Sequence, residues 1–75
     1  MTMNVALLKY HIALRGMKLT QFAELLGVNR NFVYDRMRNP HRFTYADIKL
    51  IYHKLELTND ELLNIFFPDW WSIKN

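Results

Sequence analysis

The chain has no cysteine, and only two glycines and two prolines in 75 residues. Without cysteine there are no disulfides, no thiolate metal ligands and no thiol nucleophile, so any core must hold by packing alone. Two glycines rule out a glycine-rich phosphate loop. No apolar run approaches the roughly 18 residues of a membrane span, and the N-terminus lacks the charged start and apolar stretch of a signal peptide. A cytoplasmic chain without a membrane partner is therefore expected. The carboxylates are scattered, and His11, His41 and His53 lie far apart with no nucleophile beside them. No catalytic residue, metal, cofactor or small-molecule substrate is expected from such a pattern, and the histidines read as structural or exposed.

What is present is apolar and aromatic. Hydrophobic residues make up 51% and aromatics 15%, too much for a disordered chain, and the length suits one domain. The net charge of +3 is mild, but it is unevenly spread. Between Arg15 and Arg42 six basic residues face two acidic ones, while the rest of the chain carries four basic and five acidic. Positive charge concentrated in one stretch is the footprint expected of a surface that meets a polyanion.

Apolar spacing is helical throughout. Val5, Leu7, Leu8, Ile12 and Leu14 predict a first helix over about 4–15, ended by Gly16. Phe22, Leu25 and Leu26 predict the apolar side of a second, over about 19–26. Ala23 is small enough for close helix approach, and Gly27 is free to take φ > 0 in a short turn. Asn29 is a natural N-cap for a third helix from Arg30. Asn39-Pro40-His41-Arg42 predicts a loop. Thr44-Tyr45-Ala46-Asp47 and Thr58-Asn59-Asp60-Glu61 are capping-box patterns for a fourth helix, with Ile48, Ile51, Tyr52 and Leu55 inward, and a fifth ending before Pro68.

The third helix carries the chemistry. At about 100° per residue, Arg30, Asn31, Tyr34, Asp35 and Arg38 share one arc of roughly 140°, with Val33 and Met37 stacked on another side. One apolar, anchored edge beside another that offers Asn, Arg and Tyr suits a helix that reads base edges in DNA. On that reading Asn31 and Tyr34 contact bases, and Arg30 contacts guanine or a phosphate. Asp35 either accepts from a cytosine amino group or orients Arg38. Asn29, Arg38 and Arg42, with Lys18 and Thr20 near the start of the second helix, hold phosphates. Arg36 lies off the arc and is expected to face solvent or a partner subunit.

The run Gly16-Met17-Lys18-Leu19-Thr20-Gln21-Phe22-Ala23-Glu24-Leu25-Leu26-Gly27-Val28-Asn29-Arg30-Asn31-Phe32-Val33 resembles the Cro/cI-type (Xre-type) helix-turn-helix proteins, especially small phage and prophage Cro-like regulators. The resemblance continues through Phe43-Thr44 to Ile65-Phe66-Phe67, covering about residues 4 to 67. It departs at the second helix's N-cap, where Lys18 or Thr20 replaces the family's usual Ser or Thr, and at Phe32, bulkier than is common there. It implies an all-α, compact five-helix bundle of the lambda-repressor-like type, with the helix-turn-helix at helices 2 and 3, over residues 1–67. It also implies a non-enzymatic DNA-binding transcriptional repressor of a bacterial host cell, nucleoid-associated. Specific recognition by so small a domain calls for a homodimer on a palindromic double-stranded operator, with two recognition helices about 34 Å apart.

Residues 68–75 form an unusually aromatic tail. Phe67, Trp70, Trp71 and Ile73 either fold back on the core or build a two-fold interface. The competing functional class is a protein-interaction module, such as an antirepressor gripping a partner repressor. The tail, Phe32 and the carboxylate of Asp35 would suit it.

Overall fold

Each helix begins at a residue able to satisfy its orphan backbone donors or at one whose neighbour does so. A computed structural model, which describes residues 3–70, contains five α-helices and no strand among those residues. They are α1 Val5–Leu14, α2 Leu19–Leu26, α3 Arg30–Arg38, α4 Tyr45–Lys54 and α5 Asn59–Phe66. The predicted all-α bundle of five helices is thus present. Its Cα radius of gyration of 12.0 Å is close to the ~11 Å of a compact chain this long. None of these helices is long and apolar enough to cross a membrane.

The caps follow the expected chemistry. Asn4 Oδ1 accepts from the Leu7 N–H at 3.0 Å, and Asn29 Oδ1 from the Asn31 N–H at 2.7 Å. Thr44 and Asp47 bond reciprocally at 3.0 and 3.1 Å, as do Thr58 and Glu61 at 2.8 and 3.1 Å. Lys18 is the N-cap of α2 and has no acceptor to offer, so only half a box forms: Gln21 Oε1 accepts from the Lys18 N–H at 2.8 Å. The segment predicted as a loop after α3 is instead one 3₁₀ turn, Pro40–Arg42, because Pro40 supplies the φ its first position needs.

Three helices end in one way. After α1, Gly16 donates to the Ala13 carbonyl and Met17 to that of Ile12; after α2, Gly27 donates to Glu24 and Val28 to Ala23. After α4, Glu56 donates to His53 and Leu57 to Tyr52. This pair of hydrogen bonds closes only if the residue just past the helix is left-handed. Gly16 (φ 71°) and Gly27 (φ 75°) adopt that conformation readily, whereas Glu56 (φ 51°) bears the clash of its Cβ.

Leu8, Ile12, Phe22, Ala23, Val33, Ile51, Leu55 and Ile65 are almost wholly buried and draw on all five helical segments. Two residues read as apolar-face positions point outward: Leu14 is 60% exposed and Leu25 38%. Leu14 is the last residue of α1, and Leu25 stands about 60° round α2 from Phe22, on the flank away from Ala23. The N-terminal strand of backbone is tied to the far end of the chain by the Asn4 N–H donating to the Ile65 carbonyl at 2.6 Å.

His11 is buried where α1 meets α5, its Nδ1 3.7 Å from Glu61 Oε2, and Arg15 donates to the His11 carbonyl at 2.9 Å. Glu61's carboxyl is held below its ordinary value of 4.5, foremost by the Thr58 backbone N–H. Partial burial pushes it up, while the Thr58 hydroxyl, His11 and Arg15 push it down.

Two stability outcomes are expected. Glu56→Gly relieves about 1–2 kcal/mol of left-handed strain and returns part of it as unfolded-chain entropy, for a net gain of about 0.5–1 kcal/mol. Urea denaturation would show a higher midpoint at unchanged slope. A carboxylate depressed in the folded state contributes stability above its unfolded pKa and loses it as pH falls through the folded one. Stability should therefore decline below about pH 4.5, and Glu61→Gln, which retains an acceptor for the Thr58 N–H, should flatten that decline. An identical acid limb in both chains would show that another group controls it.

Candidate nucleic-acid interface

The turn at Gly27 sets how α3 lies on the domain. Val28 packs partly against the core, Asn29 caps, and α3 starts at once, with Val33 and Met37 buried one turn apart. That fixes the helix's rotation about its own axis. Arg30, Asn31, Tyr34 and Arg38 are consequently exposed along its outer side, as the helical arc predicts.

Two recesses flank this strip. A groove of about 510 Å³ between α2 and α3 is lined by Thr20, Glu24, Asn29, Arg30 and Asn31 among others. A second, of about 310 Å³, is lined by Leu19, Asn31, Tyr34, Met37, Arg38 and Lys9. Asn31 borders both. Lys9, from α1, escaped the sequence reading: 22 residues separate it from Asn31, and only the packing of α1 on α2 brings it there. Lys18 is exposed at the start of α2.

Asp35 departs from its expected role. Its Oδ2 accepts from Arg36 Nη1 at 2.8 Å, and its Oδ1 accepts from Arg42 Nη1 at 3.0 Å. Asn39 steadies the same residue, its Nδ2 lying 3.4 Å from Oδ1 and 3.2 Å from the Asp35 carbonyl. The arginine it orients is thus Arg42, with Arg36, and not Arg38. The carboxylate has both oxygens engaged within the protein.

Arg36 is also corrected. Rather than facing solvent, its side chain is 17% exposed and its guanidinium lies 4.1 Å above the Phe32 ring. Its Nε, buried without a hydrogen-bond partner, is 3.8 Å from Asp47 Oδ2 at the start of α4. Phe32 is half-buried against the core and supports that cation. Arg36 therefore braces α3 against α4. Among the described residues no carboxylate pairs with Lys9, Lys18, Arg30 or Arg38, so these four carry the uncompensated charge around α3.

Phe66 is buried and meets Phe43 edge to face at 5.9 Å, and Phe67 is half-buried. Trp70 Nε1 donates to Asn64 Oδ1 at 3.2 Å. Trp71 and Ile73 lie outside the described residues. Among the described residues no three His, Asp or Glu side chains are grouped as a metal site.

No family model, curated protein or solved structure matches the chain.

The division of the arginines is open to measurement. Arg36→Ala removes a mostly buried cation with its stacking and charge-assisted bond, and should cost about 2–3 kcal/mol in urea denaturation. Arg30→Ala and Arg38→Ala should stay within about 0.5 kcal/mol of the unaltered chain. Equal losses at all three positions would contradict the distinction.

Proposed function

We propose that this chain is a sequence-specific DNA-binding transcriptional regulator, a Cro-like repressor of phage or prophage type, in which α2, the Gly27 turn and α3 act as a helix-turn-helix. The observation that carries this reading is the strip Arg30, Asn31, Tyr34 and Arg38, exposed along a helix whose adjoining side, about a quarter turn round, is locked into the core by Val33 and Met37. Rigid support matters, because base-edge recognition requires donors and acceptors held at fixed height and angle. Asn31 has the amide for bidentate contact with adenine, and Arg30 the fork for guanine. In this reading Lys9 and Arg38, which line one recess, and the exposed Lys18 serve phosphates, with Thr20 and Asn29 contributing polar atoms along the α2–α3 groove.

One such helix spans only a few base pairs, so the active species in this reading is a homodimer on a palindromic operator in the bacterial cytoplasm. Repression then needs no catalysis, since occupancy of the promoter suffices. The rival reading, an antirepressor that grips another repressor, drew on Asp35 as a carboxylate turned toward phosphate. With that carboxylate bound by two arginines, its main remaining support is the aromatic tail.

Selection from a randomised duplex pool should yield a palindromic consensus whose binding survives added salt better than binding to random sequence. Asn31→Ala should weaken the selected duplex by about 1–3 kcal/mol, roughly 5- to 150-fold, with unchanged thermal unfolding. Absence of enrichment, with only weak binding that vanishes as salt rises, would refute specific recognition and direct attention to a protein partner.

A further inference from the structure

Resting on the DNA-binding reading, we propose that Asp35 is a specificity-determining positioning residue: it latches Arg42 to the protein's own surface, so that Arg42 reaches a phosphate only in the closely seated complex. The latch spans seven residues, from the second turn of α3 to the end of the 3₁₀ turn, at 3.0 Å between Arg42 Nη1 and Asp35 Oδ1. It is built to hold still at one end and to open at the other. Asp35 is 29% exposed and fixed from three sides, by Asn39, by Arg36, and through Arg36 by Phe32 and Asp47. The Arg42 side chain is 54% exposed, and its guanidinium has no second partner among the described residues.

The charge of the cluster follows from this geometry. Arg36 and Arg42 are matched by Asp35 and Asp47, so the four groups together are neutral. Generic affinity for DNA scales with the number of phosphates a protein neutralises. A cation already paired at contact distance adds little to loose, water-separated binding, where the nearest phosphate is too distant to compete with a fixed carboxylate. When α3 is seated in the groove, a phosphate brought within hydrogen-bond distance of Arg42 can displace Asp35, because an exposed ion pair is weak. Asp35 thus subtracts one cation from sequence-blind binding and leaves it available to the specific complex.

Asp35→Asn, isosteric and still able to accept from Asn39, tests this on a random-sequence duplex and on a selected one. The slope of log affinity against log salt on random duplex should steepen by about 0.9, an added loss of about 3.5-fold between about 50 and 200 mM salt. At low salt its affinity for random duplex should rise, the ratio of selected to random binding should fall, and adding Arg42→Gln should reverse the change. Arg42→Gln alone, at an exposed position, should weaken the selected duplex more than the random one. An unchanged slope, or a gain that Arg42→Gln does not reverse, overturns the latch while leaving DNA binding in place. Failure of the unaltered chain to bind any duplex overturns both.

Discussion

Everything on the outer side of α3 depends on the burial of Val33 and Met37. A helix held at two apolar points one turn apart cannot rotate without exposing them, and each buried side chain of this kind is worth about 1.5–3 kcal/mol. The Gly27 turn makes that docking geometry available. The Val28 N–H returns to the Ala23 carbonyl, closing α2, and Asn29 opens α3 at the very next residue. Ala23, itself buried, permits the approach. The polar strip is therefore set by the core and needs no contacts of its own to stay in register.

Around that strip the charge is sorted by a second constraint, the cost of leaving a cation unpaired when it is covered. Arg36 is the case in point. Its position on α3 turns it toward α4, where solvent is scarce, and the molecule answers with two carboxylates and an aromatic face. Counted along the sequence, Arg36 and Arg42 belong to the basic stretch that suggests a polyanion partner. Counted in space, both are matched by Asp35 and Asp47, and the unmatched cations near α3 are Lys9, Lys18, Arg30 and Arg38. Charge near a helix and charge offered by it are different quantities.

That difference also marks what was legible in the sequence. Helix starts were, because capping is a contact over two or three residues: Asn29, Thr44 and Thr58 all cap as expected, while Asn4, inside the span expected for the first helix, caps it instead. The exposed strip on α3 was, because helical periodicity is rigid over nine residues. The left-handed turn after α4 was less so, since a glutamate at φ 51° lacks the glycine that signals one. Leu14 and Leu25 were misplaced because periodicity identifies apolar positions without saying how far a neighbouring helix extends over them. Asp35 with Arg42, and Arg36 with Asp47, join residues seven and eleven apart through a proline turn whose path the sequence leaves open. Lys9 is more remote still.

A domain this small has few apolar residues with which to seal its edges, and Arg36 shows one consequence. Laid over Phe32, it covers the rim of the core between α3 and α4 with the flat face of a guanidinium, so a residue that looks like surface charge serves as packing. The cations left over come from α1, α2 and α3, and no direct bond links one to another. Where they stand relative to one another is a product of how three helices meet at Leu8, Phe22, Ala23 and Val33. It follows that loosening this core would scatter the charge and tilt the reading strip at once. The recognition surface and the hydrophobic core of this chain are then one structure, and stability and affinity should fall together for substitutions that never touch the exposed side of α3.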